Sequence, residues 1–119
     1  MSYTSAQIKY MVAMGALCNE SGQIRSMEIA DYLAVSKPSV HKMIAEFCDM
    51  GIITKNPYSF IQITPYGKKI INEYSNGYNK IKNHFHNDLD VNSDNAKNTA
   101  MSIICVLSEK ELNELCTKL

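Results

Sequence analysis

The chain has 119 residues, 45% hydrophobic and 20% charged, enough to fill one compact core with a small appendage but not two full domains. Twelve Lys plus Arg balance twelve Asp plus Glu, so the formal net charge is zero and bulk attraction to phosphate polymers is excluded; a nucleic-acid contact would need a local patch. No apolar run is long enough to span a bilayer and no leader-like pattern opens the sequence, so a cytoplasmic protein without membrane contact is expected. Cys18, Cys48, Cys105 and Cys116 stand far apart without paired zinc-type spacing, which predicts reduced thiols serving as small apolar side chains.

The first helix is expected to open at Thr4 or Ser5, either of which accepts from free backbone N–H groups, and to carry Ile8, Met11, Val12 and Leu17 on one face. Asn19-Glu20-Ser21-Gly22 ends it, Ile24-Arg25-Ser26 is extended, and Ser26 is expected to cap a short helix over 27–33. A tight turn follows, and Pro38 marks the start of a second helix from 37 to about 50, closed by Gly51. This pair reads as a helix-turn-helix. Its second helix presents Ser39, His41 and Lys42 outward while Val40, Met43 and Ile44 face inward, a short polar and basic surface of the kind the DNA major groove accepts.

Two β-prone runs, 52–55 and 59–64, flank the turn-forming Asn56-Pro57-Tyr58 and predict a hairpin, the wing of a winged helix-turn-helix. Thr64-Pro65 then starts a long helix whose Ile71, Tyr74, Tyr78, Ile81 and Phe85 form an apolar stripe. Burial against the chain's own later helices and a dimer seam are both open for that stripe. Gly77 is expected to mark a bend, 88–94 a linker, and Ser93 the cap of a helix carrying Ala96, Ala100, Ile103, Ile104 and Leu107. Ser108-Glu109-Lys110-Glu111 is a capping box that opens a closing helix with Leu112, Leu115 and Leu119.

The predicted fold is mainly α with a small β-hairpin: a winged helix-turn-helix over 1–66, then a long linking helix and a short helical dimerisation tail over 67–119. Ile103, Ile104, Leu107, Leu112 and Leu115 are the expected dimer contacts, because a two-fold dimer sets two reading helices on successive major grooves of a palindromic site. No nucleophile-base string, glycine-rich phosphate loop or carboxylate pair at working spacing occurs, so no enzymatic activity is expected.

The order of parts, together with Gly22-Gln23-Ile24-Arg25, Leu33-Ala34-Val35-Ser36, Pro38-Ser39-Val40, Gly51-Ile52-Ile53 and Ile63-Thr64-Pro65-Tyr66-Gly67-Lys68-Lys69, resembles the diphtheria-toxin-repressor and manganese-transport-regulator family of metal-dependent repressors. The resemblance runs from about Ile8 to Leu115. It implies a DNA-binding transcriptional repressor that works on double-stranded DNA as a homodimer. Ser36, Pro38, Ser39 and Lys42 match its DNA-facing positions; Lys37 and His41 adjoin them, and Lys55, Asn56 and Tyr58 stand in the wing as backbone contacts.

The resemblance also implies a divalent metal held by a first-helix carboxylate, a long-helix histidine and a Glu- or Cys-x-x-Glu-His group. Here those places read Ile8-Lys9-Tyr10-Met11-Val12, Tyr78 and Met101-Ser102-Ile103-Ile104-Cys105. Manganese and iron need carboxylate and imidazole, so a relative without a metal cofactor is expected, its reading head held by packing. A metal-responsive (Mn, Fe or Zn) repressor with other ligands is the alternative, drawing on Cys105, His84 and His86, although two histidines two residues apart on a helix point about 200° apart. A winged helix used for protein interaction is the other alternative.

Overall fold

The computed structural model describes residues 2–55 and 60–119. The order of elements is α1 (Ser5–Leu17), β1 (Gln23–Arg25), α2 (Ser26–Leu33), α3 (Lys37–Asp49), β2 (Ile53–Lys55), β3 (Phe60–Ile63), α4 (Pro65–Asn83), α5 (Ser93–Val106) and α6 (Glu109–Lys118). This is a winged helix followed by a helical tail. Among the described residues no helix is long and apolar enough to cross a membrane.

Helix starts follow local chemistry. Thr4 Oγ1 accepts from the Gln7 N–H at 3.1 Å while Gln7 Oε1 accepts from the Thr4 N–H at 3.0 Å, and Ser108 with Glu111 repeats the exchange at α6. Two expected caps move by one residue. Arg25, not Ser26, precedes α2, and its N–H donates to Glu28 Oε1 at 3.1 Å. Asn92, not Ser93, caps α5, because its Oδ1 reaches the Asn95 N–H at 2.8 Å.

β3 is the middle strand of a three-stranded antiparallel sheet, with β1 on one side and β2 on the other. Ile24 faces Ile61, and Ile53 faces Ile63. These isoleucines are buried while Gln62 and Phe60 on the opposite face are half-buried, the alternation expected of a one-sided sheet.

α1 lies deeper than its predicted stripe. Besides Ile8, Met11 and Val12, the side chains of Tyr10, Ala13 and Met14 are buried, whereas Leu17 is only half-buried. α1 is therefore covered on several sides, by α2, α4 and α5. The stripe on α4 resolves as burial within the chain at Ile71, Tyr74, Tyr78 and Ile81, with Phe85 half-buried. One continuous apolar cluster runs from Ile8 through Phe47 and Ile61 to Ile104 and Leu112, so the reading head and the tail share a core.

α4 continues through Gly77, where packing is close: a Cβ there would lie 2.7 Å from Leu112 Cδ1 of α6. Beyond Asn83 the chain makes a wide π turn over His84–Asp88. The Leu89 N–H donates to the His84 carbonyl, and the Val91 N–H to the Phe85 carbonyl at 2.9 Å. The predicted linker is thus ordered from its first residue, and Asp90 adopts a left-handed φ of 57°.

Tyr3 and Tyr74 meet edge to face at 5.9 Å where the N-terminal segment crosses α4. Burial first, then the neighbouring Tyr66, pushes the Tyr3 phenol up to about 12; burial and then Glu109 does the same to Tyr74. Both folded values exceed the ordinary 10.0, so the folded chain holds these protons more tightly than the unfolded one. Their stabilising contribution is complete below about pH 10 and is lost as pH climbs towards 12. Melting curves across that window should show Tyr74→Phe losing less stability than the parent chain; parallel losses would show that Tyr74 ionisation does not matter.

Candidate nucleic-acid interface

The turn between α2 and α3 is set by Ala34, which caps α2 in the left-handed region at φ 54°, and its N–H donates to Asp31 while that of Val35 reaches the Ala30 carbonyl. An alanine there costs backbone energy that a glycine would not. The turn delivers Ser36 to the N-cap of α3, where its Oγ accepts from the Ser39 N–H at 3.2 Å and lies 2.8 Å from Ser39 Oγ. Pro38 occupies the first turn, where its missing N–H leaves nothing unpaired.

Val40, Ile44 and Phe47 anchor α3 in the core, with Met43 half-buried beside them. The outer face carries Ser36, Lys37, Pro38, Ser39, His41 and Lys42, all exposed. Two serine hydroxyls, the positive end of a helix dipole and two lysines therefore share one surface without an acidic residue in the first turn of α3. Such a surface holds oxyanions, phosphates in particular. Lys55 is exposed at the end of β2, and Asn56 and Tyr58 of the wing lie outside the described residues.

The junction from wing to α4 is tightly tied. Thr64 Oγ1 accepts from the Gly67 N–H at 2.9 Å and lies 2.6 Å from the Gly51 carbonyl and 3.0 Å from that of Ile52, so its one proton is shared between the two. The Thr64 N–H also donates to Ile52 O at 3.0 Å. Gly51, with φ 76°, turns the chain out of α3 into this knot.

The residues at the metal-ligand places of the family pattern do not fit a divalent cation. Ile8, Met11 and Ile104 are core side chains, Tyr78 is 8% exposed, and the half-buried Cys105 thiol faces the Ser5 carbonyl at 3.8 Å. His84 Nδ1 is 2.8 Å from Asp88 Oδ2, and His86 Nδ1 is 2.9 Å from the Val91 carbonyl, so both rings tie down the π turn. Among the described residues no three His, Cys, Asp or Glu side chains approach a common point. The four cysteines are unbonded and half-buried.

In the tail, Ile104 and Leu112 are 0% and 2% exposed within a single chain, which removes them from any surface. Ile103, Leu107 and Leu115 are half-buried, and Val106, which the sequence reading passed over, is 79% exposed. Burial on one side of α5 and α6 was legible from spacing; which leucines the rest of the chain covers was not.

No protein-family model matches the chain. The transcriptional regulator MntR of Salmonella typhimurium is 30% identical over 74 residues, 62% of this chain and 47% of that protein. The manganese regulator SloR superposes with a TM-score of 0.76 at 18% identity, over 98% of this chain and 54% of SloR. The chain resembles the MntR-type regulators. It spans about half the length of the curated relatives it matches. A hypothetical protein from Sulfolobus solfataricus shares the fold over nearly its own whole length: TM-score 0.65, 17% identity, 98% of this chain and 88% of that one. At these identities the structural likeness speaks for the fold, a winged helix with an α4-to-α6 tail.

Proposed function

We propose that the chain is a sequence-specific, double-stranded-DNA-binding transcriptional regulator, a repressor in which α3 reads the major groove and which works without a metal cofactor. The observation that carries this reading is the outer face of α3, where Ser36, Lys37, Ser39, His41 and Lys42 stand exposed on a helix that Val40, Ile44 and Phe47 hold rigidly in the core. Ser36 and Ser39 offer hydroxyls to phosphate oxygens, and Lys42 reaches either a phosphate or a guanine edge. The 1–66 segment serves as the reading head, with Lys55, Asn56 and Tyr58 of the wing against the backbone. The 67–119 segment pairs two copies through Ile103, Leu107, Leu115 and Val106, so that a palindromic operator meets both heads. This reading involves no enzymatic activity and puts the protein in the cytoplasm with its DNA.

The donor set supports metal independence: an apolar, lysine-flanked environment gives manganese, iron or zinc no carboxylate cage. Selection of bound fragments from the genome, with and without chelator, tests both parts. One palindromic sequence should be enriched equally in both arms, with affinity falling steeply as salt rises. Enrichment that requires added manganese, iron or zinc would replace this reading with a metal-responsive repressor. Failure to retain any duplex would leave a protein-interaction module.

A further inference from the structure

We propose that the open cleft lined by α1, α2, α4 and α5 is a binding site for a small dianion, a phosphate monoester or a dicarboxylate. The cleft measures about 260 Å³ and is lined by Tyr32, Ser75, Tyr78, Asn79, Lys82 and Lys97. Two lysines, two tyrosines, a serine and an asparagine thus line it from three helices, and no aspartate or glutamate does. The single ion pair among the described residues, His84 with Asp88, involves neither lysine. A concave site with a few convergent donors and two uncompensated charges of one sign suits a ligand of the opposite sign.

The side chains are disposed to donate. Lys82 Nζ donates to Asn79 Oδ1 at 3.3 Å and stands 5.3 Å from the centre of the Tyr78 ring, so it is already steered to one wall. Lys97 is exposed on the α5 side, and Tyr32, 49% exposed, closes the α2 side. Burial, and then the neighbouring Tyr32, raises the pKa of the Tyr78 phenol, which like any phenol is protonated at neutral pH. Ser75 Oγ is buried with no hydrogen-bond partner.

A phenol and two lysines are poor donors to a cation, so the charge preference of the pocket is for an anion. A dianion held between Lys82 on α4 and Lys97 on α5, within reach of Tyr32 on α2, ties the helix preceding the reading turn to the tail.

Calorimetric titration of the intact protein with inorganic phosphate and, separately, with succinate, at constant ionic strength and without DNA, tests the site independently of the DNA-reading proposal. Saturable binding of phosphate alone assigns a phosphate ester, of succinate alone a dicarboxylate, and of both the shared dianion chemistry. Lys97→Gln should weaken binding about tenfold, and Lys82→Gln with Lys97→Gln about a hundredfold. Lys97→Arg should retain most of it. If the double variant melts early, Lys97→Gln on its exposed side chain carries the comparison. Binding no stronger than a chloride control, or unaltered in Lys97→Gln, overturns the proposal.

Discussion

Lys37→Ala combined with Lys42→Ala should weaken binding to the selected operator about ten- to a hundredfold near physiological salt, and reduce the slope of log K against log salt by about two. Both ammonium groups stand exposed on the first two turns of α3, outside the apolar contacts made by Val40, Ile44 and Phe47. Their removal takes away charge without opening the core, so the melting temperature should hold. Each phosphate contact releases about one condensed counterion, which is why the slope changes by roughly one per lysine. Fluorescence anisotropy at several potassium chloride concentrations gives both quantities. An unchanged slope would mean that α3 does not face the phosphates, and would point to the protein-interaction reading.

Gly67→Ala should destabilise the fold by about 3 kcal/mol or more, the largest stability effect expected of any single methyl group in this chain. A Cβ at Gly67 would overlap the Ile52 carbonyl oxygen and approach its carbon at 2.8 Å and its Cα at 2.9 Å. These are backbone atoms, and the same carbonyl accepts from the Thr64 N–H and lies against Thr64 Oγ1, so it cannot move without breaking the junction between β2 and α4. Gly77→Ala is the internal comparison. There the nearest atom is a methyl at the end of the Leu112 side chain, which turns aside at a cost of about 1 kcal/mol. Urea denaturation of the two variants should separate them by about 2 kcal/mol at equal m-value. Equal losses would show that the α4 N-terminus shifts freely away from Ile52.

The outer face of α3 was readable in the sequence because its signals are local. Ser36 and Pro38 start a helix through a hydroxyl and a fixed φ, Gly51 ends it through a left-handed φ, and the spacing of Val40, Met43 and Ile44 sets which side faces in, to which the fold adds Phe47. Thr64-Pro65 announced α4 by the same means. At Ser26 and Ser93 local spacing set the cap one residue late. The deciding contacts came from Glu28 and Asn92. At Gly77 the helix propensity suggested a bend, and the close approach of Leu112, 35 positions away in sequence, gave the glycine another purpose.

Local hydrogen-bonding chemistry and apolar periodicity, read from the chain alone, accounted for the helix-turn-helix, the strands of the wing and the order of helices. Packing assigned the rest. It buried Ile104 and Leu112 inside one chain while leaving Val106 outside, and it gathered Tyr32, Lys82 and Lys97 around one cavity. Amphipathic spacing tells a helix which face to bury, but not which partner covers it. That choice is made by contacts between segments far apart in sequence, and the dianion pocket exists only where α2, α4 and α5 meet.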